Sequence, residues 1–356
     1  MSPSNVDEEG TPADAQSAFE VTSDVQISRY ERFKIFVDET FFASARILRN
    51  DYRALIGTGI LLVYLFVGLI GVRIVEIPRA SDGPLLFQPF DKALTHHPFG
   101  IPEFSIGPWT YIGIWRFPLG TDQVGKGIFA GLVHSTPVVL KMMLAGAVFS
   151  TVMATIWGIT AGYKGGRWDR VMMTISDVVM TIPGLPLVVV LAEFINPENP
   201  YVVGLLLAVP DWAGLSRSLR SQVLTLREES YVEASRIMGV KNRTIMRKDI
   251  LPNVVPYIMV HFVTGARGII FQAIGLYFLG VLPFSTVNWG VMMNLAYQDG
   301  ALFDPAKYHW FVAPTVTVLV LSLGLILFGQ GMDRIFNPRI RARHAKSTPD
   351  DGEEEV

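Results

Sequence analysis

Cysteine is absent from this 356-residue chain, which excludes disulfides, thiolate metal sites and cysteine nucleophiles. Histidine is rare: there are six, scattered apart from the His96-His97 pair, and none has the HExxH spacing of a metal site. The pair reads as solvated loop residues rather than as ligands. Charge is scarce as well. Only 17% of the residues are Asp, Glu, Lys or Arg, against about a quarter in an ordinary soluble domain, and that shortage points to lipid. A formal net charge of −2 gives no reason to expect nucleic acid or an acidic partner. A basic start followed at once by an apolar run, the mark of a signal peptide, is missing. No internal repeat is visible.

What is present is apolar, and it comes in runs. Residues 1–28 are polar and acidic without a single Lys or Arg, the composition of a disordered tail. Residues 29–53 interleave Phe33, Phe36, Val37, Phe41 and Leu48 with Arg29, Arg32, Lys34, Arg46 and Arg49, which suits an amphipathic helix lying in the membrane interface. The first span is expected at 54–73, around the run Leu55 to Val72, about the length that crosses a bilayer. Residues 74–134 form a long polar loop rich in Pro, Gly and aromatics. A core at 135–332 then holds five more runs: Pro137 to Ala161, Val171 to Ile195, Tyr201 to Leu215, Val254 to Leu282 and Trp310 to Gly331. A polar, basic loop at 217–250 interrupts them, and residues 333–356 are a tail. The expected fold class is an all-α polytopic membrane protein with six transmembrane helices.

Charge orients these spans. With the N-terminus inside, 22 of the 30 Lys and Arg fall in inside segments and 6 in outside ones, with Lys141 and Arg267 within spans. That asymmetry is the positive-inside signal. It puts both termini and the 217–250 loop in the cytoplasm, in a cytoplasmic or inner membrane.

Within that loop, Tyr231, Ala234, Ser235 and Met238 recur at i, i+3, i+4 and i+7, one face of a helix. Gly239 suits its end, and Leu251-Pro252 suits the start of the next helix. Spacing alone describes first of all an ordinary amphipathic surface helix. Small side chains also let another protein approach the backbone, with Tyr231 and Met238 as flanking grips.

Residues 120–127 nearly spell a phosphate-binding loop, but Gly127 stands where the Mg²⁺-holding hydroxyl belongs and no strand precedes it. A nucleotide site is not expected there. Of the ionisable residues within spans, which default to functional candidates, Arg267 lies near the middle of the fifth and Asp177 about two turns into the third. Arg267 has two readings of equal weight: it lines the path and meets a substrate carboxylate, or it pairs structurally. Asp177 reads mainly as a structural partner or as the cap of a broken helix beside Pro183-Gly184. Lys141 is close enough to a span end to snorkel.

Several stretches carry a resemblance. Glu233-Ala234-Ser235, Gly239 and Leu251-Pro252 resemble the EAA loop of ABC-importer permease subunits, with Ser235 for the second alanine and Asp249 as a further departure. Residues 117–126 resemble the LGTDxxGRD segment of oligopeptide-type permeases, with Lys126 and Gly127 replacing Arg-Asp. Residues 158–169 (GITAGYKGGRWD), Asp177 with Ile182-Pro183-Gly184-Leu185, Leu276 to Gly280, Trp289-Gly290 and Asn337-Pro338-Arg339 match that family in order. The chain is identified as a member of the dipeptide/oligopeptide/nickel branch. The resemblance implies a type I importer-like fold with a cytoplasmic coupling helix. It implies that Tyr231, Glu233, Ala234, Ser235, Met238 and Gly239 meet the ATPase. The implied partners are a second homologous permease subunit, two cytoplasmic ABC ATPase subunits or domains and an extracytoplasmic substrate-binding protein. The chain is then no enzyme and holds no cofactor, ATP and Mg being bound by the ATPases. Peptides are the implied cargo, with nickel as another.

Two rivals are weaker. A secondary transporter calls for internal repeats and discontinuous helices around an ion site, and only the interruption at Pro183-Gly184 points that way; a membrane protease calls for paired catalytic groups within spans, and no such set is visible.

Overall fold

A computed structural model describes residues 51–80, 82, 83, 85, 86, 104–106, 109–111 and 117–336. The acidic tail at 1–28, nearly all of the interfacial helix at 29–53 and most of the tail at 333–356 lie outside the described residues.

Long apolar segments become long helices. Helix α1, Tyr52–Ile74, is capped by the Asp51 carboxylate, which accepts from Arg53 N at 3.0 Å, and carries a π turn at Val67–Gly71. A short antiparallel hairpin follows, β1 Phe104–Ile106 and β2 Trp109–Tyr111. Helix α2, Ile128–Lys164, begins inside the stretch expected as loop and has 37 residues. At 1.5 Å per residue it measures about 55 Å, well beyond the hydrocarbon core. The helix continues through Pro137, and beside it Thr136 Oγ1 donates to the Leu132 carbonyl at 2.8 Å and His134 Nε2 bonds the Val75 carbonyl at 2.9 Å.

The third run is not one rod. It divides into α3, Gly166–Thr181, and α4, Gly184–Ile195, bent by 86° at Ile182-Pro183. Proline removes a helical donor and clashes with the preceding turn, so the chain turns there. The fourth run is bent too. Helix α5, Pro200–Ala208, and helix α6, Trp212–Leu226, meet at 54° across Val209, Pro210 and Asp211. The two bends face each other: a Cβ at Gly184 would touch the Pro210 ring at 3.5 Å.

Helix α6 carries on to Leu226, so the loop expected from residue 217 starts ten residues later. Its polar look in sequence misleads. Trp212, Ala213, Ser216, Leu219 and Val223 are buried along one stripe, and the charged residues find partners on α3. A short helix, α7, Ser230–Ile237, and a turn follow, then the long helix α8, Asn242–Phe278, which passes through a π turn at Met246–Ile250 before its 28-residue apolar part from Leu251. Helix α9, Trp289–Gln298, starts at Asn288, whose side chain accepts from Gly290 N and Val291 N. Helix α10, Tyr308–Phe336, closes the described chain.

Among the described residues four segments are long and apolar enough to cross a membrane, and six if each bent pair is one span. Glycines set the closest approaches between them. A Cβ at Gly158 would lie 2.5 Å from the Ser216 carbonyl oxygen, and Gly162 packs on Val223, so α2 and α6 touch nearly backbone to backbone. Gly204 of α5 sits against the Met142 carbonyl of α2 in the same way.

Candidate coupling surface and translocation groove

Helix α7 buries one side chain. Val232 is fully buried in an apolar cluster with Ile245, Ile250, Val254 and Val223. The opposite face is open: Tyr231, Glu233, Ala234 and Met238 are exposed and Ser235 is half-buried. Sequence periodicity missed Ile237, which is 81% exposed beside Met238 at 72%. Two such apolar side chains standing in solvent on a short helix form a surface that wants a cover.

Gly239 ends the helix at φ +74°. The Gly239 N–H donates to the Arg236 carbonyl at 3.0 Å and the Val240 N–H to the Ser235 carbonyl at 3.1 Å. That is the paired closure of a Schellman turn, which needs a left-handed residue where glycine sits. Asn253 then ties α7 to the start of the long apolar part of α8. Its amide donates to the Tyr231 hydroxyl at 3.2 Å and to the Asp249 carbonyl at 2.6 Å. Burial, and after it the charges of Glu229 and Asp249, raise the Tyr231 phenol above its ordinary value. A groove of about 780 Å³ lies beside α7, lined in part by Tyr163, Trp168, Arg227, Glu233 and Arg236.

Helices α3 and α6 are joined by three polar links in series. Arg220 grips Asp169 with two hydrogen bonds, Nε to Oδ1 at 2.9 Å and Nη2 to Oδ2 at 2.6 Å. The hydroxyls of Ser176 and Ser216 meet at 3.0 Å, both buried. Arg217 Nη1 donates to Asp177 Oδ1 at 2.7 Å. Asp177 therefore has a partner on the neighbouring helix, while Arg267, 11 residues before the end of α8, has none among the described residues. Arg267 instead lines a groove of about 380 Å³ between α8 and α10, with Val260, Val263, Thr264, Gly329 and Gln330. Lys141 stacks over the Tyr201 ring, 5.9 Å from its centroid. The structure thus keeps the α7 residues together and leaves Asp177 and Arg267 apart from them.

The near-match to a phosphate loop is a self-contained turn. Asp122 Oδ1 accepts from Val124 N at 2.9 Å and Lys126 N at 2.8 Å, the donors a phosphate would need. His309 of α10 bonds the Thr121 carbonyl at 3.0 Å and pins the turn to the helix.

Residues 154–342 match the family described as the binding-protein-dependent transport system inner membrane component, more than half of the chain. The chain belongs to this family. It is a multi-pass membrane permease, the transport subunit of an ABC importer, and coupling to an ATPase is general to such permeases. Among relatives, the oligopeptide transport system permease protein OppC of Bacillus subtilis is 29% identical over 62% of this chain and 72% of its own. The dipeptide transport system permease protein DppC of the same organism is 32% identical over 62% of this permease and 68% of its own chain. A solved structure of the MetNI methionine ABC transporter in an inward-facing conformation aligns with a TM-score of 0.45 at 17% identity, covering 58% of this permease and 95% of that chain.

Proposed function

We propose that this permease forms half of the translocation pathway of a peptide importer, with a second homologous permease subunit as the other half. Two cytoplasmic ABC ATPases and an extracytoplasmic binding protein complete the assembly. The relatives named for oligopeptide and dipeptide transport support peptides as the cargo. The chain is not itself an enzyme: ATP and Mg²⁺ belong to the ATPases, and this subunit contributes movement.

The observation that carries the reading is the open face of α7. Tyr231, Glu233, Ala234, Ser235, Met238 and Gly239, joined by Ile237, present a small-sided, largely exposed surface on a helix whose one buried side chain is Val232. The Lys and Arg distribution supports its lying in the cytoplasm with both termini. Glu233 in the first turn favours the helix dipole and is placed to meet a basic residue of the ATPase. Asn253 and the π turn of α8 then pass a push on α7 into a membrane span, and the α3–α6 links pass it toward the bend at Pro183. Such coupling needs a contiguous two-state element.

The test is contact. A cysteine at Met238 should form a cross-link to the ATPase in the assembled complex, and one at Trp168, outside the α7 face, should do so far less. A cross-link at Trp168 alone would move the docking surface off α7.

A further inference from the structure

The groove between α8 and α10 holds a span charge that has no ion-pair partner among the described residues. Arg267 lies about 16 Å along α8 from Phe278, deep within the span, and a guanidinium in hydrocarbon is costly unless water or a counter-charge meets it. Every other described charge discussed above for the spans is answered: Asp177 by Arg217, Asp169 by Arg220 and Lys141 by the Tyr201 ring. Arg267 has no acid within ion-pair distance among the described residues. What it has is space. Gly329 of α10 faces Val263, a Cβ there coming within 3.3 Å, and the groove of about 380 Å³ runs from Arg267 to Gln330. The Gln330 amide is exposed and likewise has no protein partner among the described residues. The remaining lining is mostly apolar, from Val260, Val263, Leu325 and Ile326, with Thr264, whose hydroxyl donates to the Val260 carbonyl at 3.0 Å.

We infer that this groove is a carboxylate-binding station on the translocation path, with Arg267 receiving the free C-terminal carboxylate of a short peptide. The inference rests on the peptide-importer reading and deepens it. A guanidinium presents its donors as a planar fork that matches a carboxylate with two parallel hydrogen bonds. Gln330, at the other end of the groove, offers both a donor and an acceptor, which is what a peptide amide needs. The apolar wall between them takes a side chain. The volume falls within the 300–1,000 Å³ range of small-molecule sites. A partner-subunit carboxylate or the phosphate of a lipid headgroup would answer the same charge, and the experiment separates these.

The complex purified through this subunit is placed in phosphatidylcholine nanodiscs and treated with phenylglyoxal, which modifies arginine, and labelling at Arg267 is followed by mass spectrometry. Trialanine should slow labelling of Arg267, and trialanine amide, lacking the carboxylate, should not. Equal effects of the two peptides overturn the inference. So does an Arg267 that resists the reagent both with and without ATP and vanadate, the result a partner-subunit salt bridge gives. Protection by added phosphatidylglycerol and not by trialanine assigns the groove to lipid phosphate and also overturns it.

In vesicles, Arg267→Gln should assemble but lower trialanine transport by about tenfold, what one charge-assisted hydrogen bond carries. Arg267→Lys, which keeps the charge and loses the fork, should fall between. Transport by Arg267→Gln at the wild-type rate overturns the inference. Protection of Arg267 in a wild-type complex that moves no peptide supports the carboxylate station and removes peptides as cargo, so the two readings fail separately.

Discussion

Asn253 bonds to Tyr231 across 22 residues of sequence, its amide 3.2 Å from the phenol oxygen, and so fastens the exposed helix α7 to the foot of a membrane span. The same amide nitrogen holds the Asp249 carbonyl at 2.6 Å, a backbone group in the π turn of α8. Asn253→Leu removes both bonds. One such bond contributes about 1 kcal/mol net, too little to unfold the protein but enough to loosen the joint. The expected outcome is more ATP hydrolysed per solute moved, measured in reconstituted vesicles. An unchanged ratio would mean that the joint carries no force.

Gly239 gives a sharper test, because its surroundings are empty. No atom lies within 4 Å of a Cβ built there, so any penalty comes from the backbone at φ +74°. Gly239→Val should cost about 1–3 kcal/mol in strain, displace α7 and abolish binding-protein-stimulated hydrolysis. Gly239→Asn, which tolerates the left-handed region, should keep most of it. Equal losses in both variants would show that space, not conformation, matters at this turn.

Ala234 tests the docking face itself. A tryptophan there should hold the ATPase away from the α7 backbone, giving normal membrane insertion but little ATPase co-purification. If Ala234→Trp transports at the wild-type rate, α7 is not the coupling element.

The Asp169–Arg220 grip is a stability prediction. The pair is partly shielded, at 18% and 33% exposure, so Asp169→Asn should cost roughly 1–2 kcal/mol, read as a lower melting temperature in detergent. Asp177→Asn breaks a more open pair, 47% and 59% exposed, and should shift it less. A larger loss at Asp177 than at Asp169 would contradict the ranking by burial.

Orientation follows from charge and can be checked in intact cells. Cysteines at Asn199 and Asp299 should react with an impermeant maleimide from outside, and one at Lys241 should not. External labelling at Lys241 would invert the topology.

Sequence made the uninterrupted spans legible, since α1 and α10 are long apolar runs with little charge. It also made the end of α7 legible, because a glycine after two turns of periodic helix has few other uses. The continuation of α6 was hidden by Ser216, Arg217, Ser218 and Arg220, which look like a loop. In the fold, Ser216 and Ser218 donate to their own helix carbonyls, at 2.7 and 3.2 Å, and both arginines are paired. No local pattern announces such partners. The early start of α2 was hidden by Pro137 and the polar residues before it, for the same reason. Ile237 was missed because α7 spans only two turns, too few for periodicity to choose between neighbouring faces. Asp177 reads from the sequence mainly as a structural partner or cap and Arg267 equally as path or pair, and only the third dimension names the residue, Arg217, that Asp177 meets.

The glycine contacts of α2 act as splines. At Gly158 and Gly162 against α6, and at Gly204 of α5 against Met142, an added Cβ would collide with backbone or with the branch point of a side chain, so close packing here leaves little room for α2 to shift against either neighbour. Freedom is left to the joints, at Ile182-Pro183 and at Val209-Pro210. Gly184 and the Pro210 ring stand close enough that a side chain at 184 would touch the ring, so the two joints lie side by side in the fold.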